Sequence, residues 1–271
     1  MNSVIIAGTG RSGTSMLAGT LAGSGYYMGT DYLPPRESNP KGFFEGLEVN
    51  TINERILENS LAVSQRFRHG ALRLARTCGM HWPSAQAIPR RGQGWLMPLA
   101  LSAPARGSAV IDRQIAALTA RAPFCFKDPR FSYTLPVWRP HLDLDRTVFL
   151  CVFRHPAETA ASMAKECREQ PYLRGMVIAD DKLLELWRLM YGHILTHHRQ
   201  HGRWLFVHYR QLLDRAFLPR LAAFTGARID AGFPDAALHR SRPGMSLGAD
   251  TRAIYAELCA LAGFKSTQVE T

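Results

Sequence analysis

Apolar residues arrive along this chain in two alternating rhythms, short unbroken runs and helical stripes. The first run, Val4 to Ala7, is β-branched and cut off by glycine, as a buried central strand of a parallel sheet would be. Ser15 to Ala22 then has helical spacing and stops at Gly23-Ser24-Gly25, a helix-ending signal. An irregular stretch rich in glycine, proline and aromatics follows, YYMGTDYLPPRESNPKGFFEG. From Leu47 to Ala75 the spacing predicts a helix, with Ile52, Ile56, Leu57, Leu61 and Val63 on or near one face. Prolines and glycines break the segment from Thr77 to Arg106, so the region 77–121 reads as a substrate-shaping insertion.

Three further strand signals follow: PFCFKDPR (Pro123–Arg130), RTVFLCVFRHP (Arg146–Pro156) and RWLFVHY (Arg203–Tyr209). Between and after them lie helical patterns. AETAASMAKE follows the third strand. Asp180 to His201 carries a stripe of Leu183, Leu184, Leu186, Trp187, Met190, Ile194 and Leu195. RQLLDRAFLPRLAAFTG follows the fourth strand, and Thr251 to Ala262 ends at Gly263. Strands alternating with helices predict an α/β fold with a central parallel sheet covered on both faces. The chain shows no internal repeats or low-complexity tracts, and its 271 residues fit one domain.

Composition adds a partner class. The formal charge is +11 and the pI near 9.9, which favours acidic partners, though a solubilising surface gives the same surplus. A nucleic-acid binder would carry a basic face with exposed aromatics. The arginines here are spread over strand ends, loops and helix faces, so nucleic acid is not expected as a partner. Five scattered cysteines without a C-x-x-C pair argue against a disulfide framework or a zinc site. No stretch is long enough to span a bilayer or to serve as a signal peptide. A soluble cytoplasmic protein without stable membrane insertion is expected, and a homodimer is left open.

The chemistry begins at AGTGRSGTSML, Ala7 to Leu17. A strand, a glycine turn and a helix place backbone N–H groups and a positive helix end around an anion. Ser12, Thr14 and Ser15 add hydroxyls. An ordinary tight strand-to-helix turn has the same outline. In a Walker loop, lysine reaches the β- and γ-phosphates and Ser/Thr holds magnesium; here the lysine position is Thr14, and Arg11 lies inside the loop. No apolar run ends in a convincing magnesium-binding aspartate, since Asp128 stands between Lys127 and Pro129. A nucleotide that needs no metal clamp is favoured. A P-loop kinase of a small metabolite, using ATP and magnesium, is the alternative.

GTGRSGTSML resembles the 5′-phosphosulfate loop of sulfotransferases that use 3′-phosphoadenosine-5′-phosphosulfate (PAPS). VFLCVFRHPAETAASM resembles the 3′-phosphate motif of the same family, an arginine at a strand end and a serine in the following helix. FKDPRFS and VHYRQLL also sit where the family often has similar strings. The resemblance implies a three-layer α/β/α, P-loop NTPase-like sulfotransferase fold over a single domain, 1–271. It implies that Gly10, Arg11, Ser12, Gly13, Thr14 and Ser15 hold the 5′-phosphosulfate end and that Arg154 and Ser162 hold the 3′-phosphate. The donor would be PAPS, the product adenosine 3′,5′-bisphosphate (PAP), and no metal would be required. Arg240 and Arg242, in HRSRPG, could close over the nucleotide from a late loop.

Sulfuryl transfer needs in-line geometry and charge stabilisation more than covalent help. Arg11 and Ser15 would stabilise the bridging and leaving oxygens, and Lys127 could reach the sulfate or the acceptor. An internal Lys–Asp or Asp–Arg pair in KDPR is the structural alternative. A base for an alcohol acceptor is sought among Glu37, Glu45 and Glu48. Glu45 is favoured because a Pro/Gly turn and two aromatics precede it, a setting that could desolvate a carboxylate and raise its pKa. His155 suits a strand-to-helix corner. His197, His198 and His201 read as structural or solvated groups near a helix C-terminus, and no third ligand completes a zinc site with them. The acceptor, a carbohydrate or another small molecule, is not fixed by the sequence; Trp82 and Trp95 suggest an aromatic or sugar platform, and aromatic core packing explains the same residues.

Overall fold

The computed structural model describes residues 1–61, 69–72, 74, 78, 92–99, 101, 104–173, 176–236 and 245–265. Four strands make one parallel sheet in the order β2-β1-β3-β4: β1 (Ser3–Ala7), β2 (Cys125–Lys127), β3 (Thr147–Phe153) and β4 (Arg203–His208). The register pairs Ile6 with Lys127 on one side of β1 and with Leu150 on the other. β1 and β3 are buried along their whole length, which explains why both read as unbroken apolar runs.

Helices cover both faces, giving the mixed α/β architecture expected from the alternating pattern. Alternate β1 residues face opposite layers. Val4 and Ile6 join Leu17, Leu21 and Leu221 from α1 (Thr14–Ala22) and α8 (Leu218–Thr225). Ile5 and Ala7 join the opposite core, where five helices contribute. These are α2 (Leu47–Ser60), α3 (Ala109–Thr119), α4 (Phe131–Trp138), α6 (Asp180–His193) and α9 (Ala249–Ala262). A third apolar cluster joins α6 to α5 (Pro156–Glu169) through Met163, Leu186 and Met190. The short α7 (Tyr209–Leu212) directly follows β4.

Two elements depart from the sequence reading. The helix expected from Leu47 to Ala75 is interrupted after Ser60, where Leu61 turns extended and buries its side chain beside Leu57 and Met97; residues 69–72 and 74 are again helical. The region 77–121 includes α3, whose Ile111, Ile115 and Leu118 lie in the core; residues 79–91, with Trp82, lie outside the described set. The other departure is α4, which the sequence did not predict. Almost every α4 side chain is buried, so no polar stripe marks its period, and Pro136 stands inside it. Proline cannot bond the carbonyl one turn back. That carbonyl, Ser132 O, instead lies 3.1 Å from His198 Nε2.

His198 sits where the helix 180–201 departs from α geometry, in a π-helical turn, Ile194–His198. Its Nε2 must carry the proton to donate to Ser132 O, leaving Nδ1 to accept from Arg139 Nη2 at 3.3 Å. Burial, with His193 and Arg139 adding to it, pushes the His198 pKa down to about 3. This histidine is therefore a neutral structural linker, not a positive charge at a helix end.

Candidate active site

The strand order places β1 between β2 and β3. The chain leaves β1 to one side and returns on the other, so the β1–β3 boundary is the switch point outside whose carboxyl edge α/β sheets bind ligands. The Gly8–Gly13 loop and Arg154 both stand on that edge.

The loop is curled by left-handed backbone at Gly8 (φ 133°), Arg11 (φ 67°) and Gly13 (φ 97°). A non-glycine residue at such a φ is uncommon and concentrates at functional sites. At Gly8 a Cβ would lie 2.2 Å from the Val152 carbonyl oxygen, so the loop packs directly on β3. Gly10 takes the Trp95 ring at similarly close range. Beneath the loop, Tyr191 Oη is 2.6 Å from Val152 O, 3.2 Å from Thr9 N and 2.9 Å from Ser12 Oγ. The carbonyl is the one partner that cannot donate, so it takes the tyrosine proton and the other two point at the phenol oxygen. Burial pushes the Tyr191 pKa up, which keeps that proton in place. Ser12 therefore turns its hydroxyl inward, 2.5 Å from Thr9 Oγ1 as well, and offers an anion only its backbone amide.

Arg154, Glu158, Ser162 and Glu166 recur every four residues, one ridge on α5 and the turn before it. Arg154 Nε donates to Glu158 Oε2 at 2.6 Å, and Arg210 Nη2 stands 3.6 Å from the other oxygen. The Arg154 guanidinium also lies 4.9 Å from the centre of the Tyr209 ring. Arg11 crosses from the loop to this ridge. Its Nε donates to Ser162 Oγ at 3.2 Å, its Nη2 to Ser38 O at 3.2 Å, and its Nη1 lies 3.5 Å from Glu166. Glu166 Oε1 accepts from Ser38 at 2.8 Å and Tyr172 at 2.6 Å.

On the other side of the loop, Lys127 projects from the end of β2. Its Nζ donates to Glu45 Oε1 at 2.5 Å and to Ser15 Oγ at 3.2 Å. Glu45 Oε2 accepts from Asn50 at 2.9 Å. Glu45 is buried, as the glycine and aromatics around it suggested. Its burial comes with a cation, however, so desolvation does not act on it alone. Glu48 is exposed on the first turn of α2, and Glu37 lies on the Arg154 side. Asp128, the aspartate weighed above as a magnesium ligand, has both oxygens accepting from Arg130 Nη1, at 3.0 and 3.2 Å. Arg130 also holds Glu54 at 2.6 Å and Gly92 O at 2.7 Å, fixing the segment that carries Trp95.

Two cavities meet at these groups. One, of 190 Å³, is walled by Gly13, Arg154, Ser162, Lys165 and Tyr209. The other, of 310 Å³, is walled by Gly10, Phe43, Glu45, Trp95 and Lys127. Arg11, Thr14, Ser15 and Glu166 line both. The fold thus brings together Gly10, Arg11, Gly13, Thr14, Ser15, Arg154, Ser162, Glu45 and Lys127; Arg240 and Arg242 lie outside the described residues. Glu158, Glu166, Tyr172 and Tyr191 were missed. For the two glutamates, the four-residue step from Arg154 and Ser162 was the available signal. Tyr191 and Tyr172 had none beyond burial and composition.

No family model and no curated protein matches the chain. Among solved structures, it is similar to the "Sulfotransferase Domain from the Curacin Biosynthetic Pathway" at 14% identity, over 97% of this chain and 98% of that one, with a TM-score of 0.48. A likeness at this level says nothing of activity, which has to be argued from the site itself.

Proposed function

We propose that this protein is a sulfotransferase that moves a sulfuryl group from PAPS to a hydroxyl of a small-molecule acceptor. The observation that carries the reading is the junction of two cavities at Arg11, Thr14 and Ser15, with Lys127 reaching both Ser15 and Glu45. An in-line displacement needs the entering and leaving oxygens on opposite sides of the sulfur, and two cavities meeting at one row of donors provide for that.

In this reading Arg154, Ser162 and the loop amides hold the donor in the first cavity, and the acceptor enters the second. The acceptor oxygen forms a bond to sulfur while the bond from sulfur to the 5′-phosphate oxygen breaks. Glu45 takes the acceptor proton; a carboxylate has lone pairs beyond those engaged by Lys127 and Asn50. Negative charge develops on the leaving phosphate oxygen, where the Ser15 hydroxyl, the Lys127 ammonium and the loop N–H groups can meet it. Lys127 contacts both the base and the leaving-group side, so it links proton removal to charge neutralisation.

Protein cations supply the positive charge, and Asp128 is engaged by Arg130. The reaction is therefore proposed to run without a divalent metal. The test is an acceptor screen with sulfur-labelled PAPS, read as label transferred to product, in EDTA and in magnesium. The reading expects transfer at the same rate in both. Label retained by the donor across the screen, with ATP consumed in magnesium, would replace it with the kinase alternative.

A further inference from the structure

Among the described residues that line the second cavity, one cation has neither a role in the proposed transfer nor a carboxylate within salt-bridge distance. Lys127 is paired with Glu45 at 2.5 Å, Arg130 with Glu54 at 2.6 Å, and Arg11 stands 3.5 Å from Glu166. Arg36 lines the same cavity, half-buried. Among the described residues no carboxylate lies within salt-bridge distance of it. Its guanidinium lies over the Tyr172 ring, 4.1 Å from the ring centre. Its backbone is fixed by a tight turn, Asn39 N donating to Arg36 O at 2.8 Å and Arg36 N to Asn39 O at 3.3 Å. A guanidinium is planar, and its edge donors form a fixed fork that can bind a carboxylate through two parallel bonds.

The rest of the wall suits an apolar body. Leu33, Phe43, Leu47, Trp95 and Pro129 contribute to it. The polar side chains between them already face protein partners: Asn50 bonds Glu45 at 2.9 Å, Gln93 accepts from Trp95 at 2.8 Å, and Thr51 donates to Leu47 O at 2.8 Å. A sugar ring would need several such groups turned inward. Leu47 and the nearby Tyr32 are 41% and 45% exposed, carrying the apolar wall to the protein surface.

We infer that the second cavity binds an amphipathic anion: an alcohol with an apolar, aromatic-compatible body and a carboxylate that pairs with Arg36. This rests on the proposed transfer only for the hydroxyl; the binding preference stands without it.

The experiment titrates the protein, in the absence of donor, with ω-(4-hydroxyphenyl)alkanoic acids of increasing chain length and with their primary amides, following tryptophan fluorescence. At least one acid is expected to bind about tenfold more tightly than its amide. Arg36→Gln should erase that difference while leaving amide affinity within about twofold. Thermal unfolding of the variant checks that it folds, and the wild-type acid–amide comparison decides the matter if it does not. Equal binding of every acid and its amide, no measurable binding of any acid, or a preference that survives in R36Q would overturn the inference. Calorimetry with PAP alone is run in parallel. A silent result there counts against the sulfotransferase reading and leaves the acid–amide comparison intact.

Discussion

The two cavities that meet at Ser15 are assembled in different ways. The Arg154 side takes its candidate anion-holding groups from the loop after β1, the turn after β3 and the ridge of α5 that follows it, with residues 37–41, Tyr209, Phe233 and Asp235 completing the wall. The loop and Arg154 directly follow strand ends, and the strand order brings the two ends together. The Glu45 side draws on five separated stretches: the loop after β1, the irregular segment before α2, residues 92–95, the end of β2, and the turn that holds Tyr172. Side chains there are held by ion pairs between segments, Lys127–Glu45 and Arg130–Glu54. The difference teaches that, on the proposed reading, the groups that hold the donor's anionic ends sit on local strand-end signals, whereas choice of acceptor depends on long-range contacts.

Separate substitutions can break that division. The largest effect is expected on the Glu45 side. Glu45→Gln keeps an acceptor for Lys127 but cannot take a proton, so turnover should fall by about 10²–10⁴-fold with PAP affinity unchanged. A parallel loss of PAP affinity would show that the two cavities are not separable. On the other side, Arg154→Ala should weaken PAP by about 10–100-fold. Titration calorimetry reads this, and an unchanged Kd would remove Arg154 from the donor site.

Acid should affect stability through buried histidines. Burial pushes His193 down to about 4, with His197 adding to it; it pushes His208 to about 3, with Arg210, His155 and Arg154 adding to it, and His198 also to about 3. Above about pH 6.5 these rings are neutral in both folded and unfolded chains. Below it the unfolded chain binds protons that the folded one refuses, so stability falls from about pH 6.5 toward pH 4. The loss is on the order of 1–2 kcal/mol per histidine by pH 5. Urea unfolding at pH 7 and pH 5 measures it; equal midpoints would contradict the burial account. The smallest effect belongs to Glu48, exposed on α2: Glu48→Gln should change turnover by less than about twofold, and a large loss would move the base away from Glu45.

The same division explains what could be read in advance. The four strands and the loop residues Arg11, Thr14 and Ser15 were legible, since unbroken apolar runs and a glycine turn are local signals. Arg154 and Ser162 came with a motif. The helix at Phe131–Trp138 was hidden because it is buried all round and contains Pro136, whose missing bond is made good by His198 from far along the chain. Lys127 and Glu45 were each named as candidates, yet their contact depends on β2 pairing with β1 and on Gly46 opening α2. No spacing of residues 82 positions apart encodes it. Glu166 and Tyr172, which fix Arg11 and Arg36, belong to the same class.

The most direct measurement of the central claim is titration calorimetry in metal-free buffer with PAP, beside ATP with magnesium, on the wild-type protein. The account predicts tight one-to-one binding of PAP and no comparable heat from ATP–magnesium. Tight binding of ATP–magnesium with no response to PAP would contradict it.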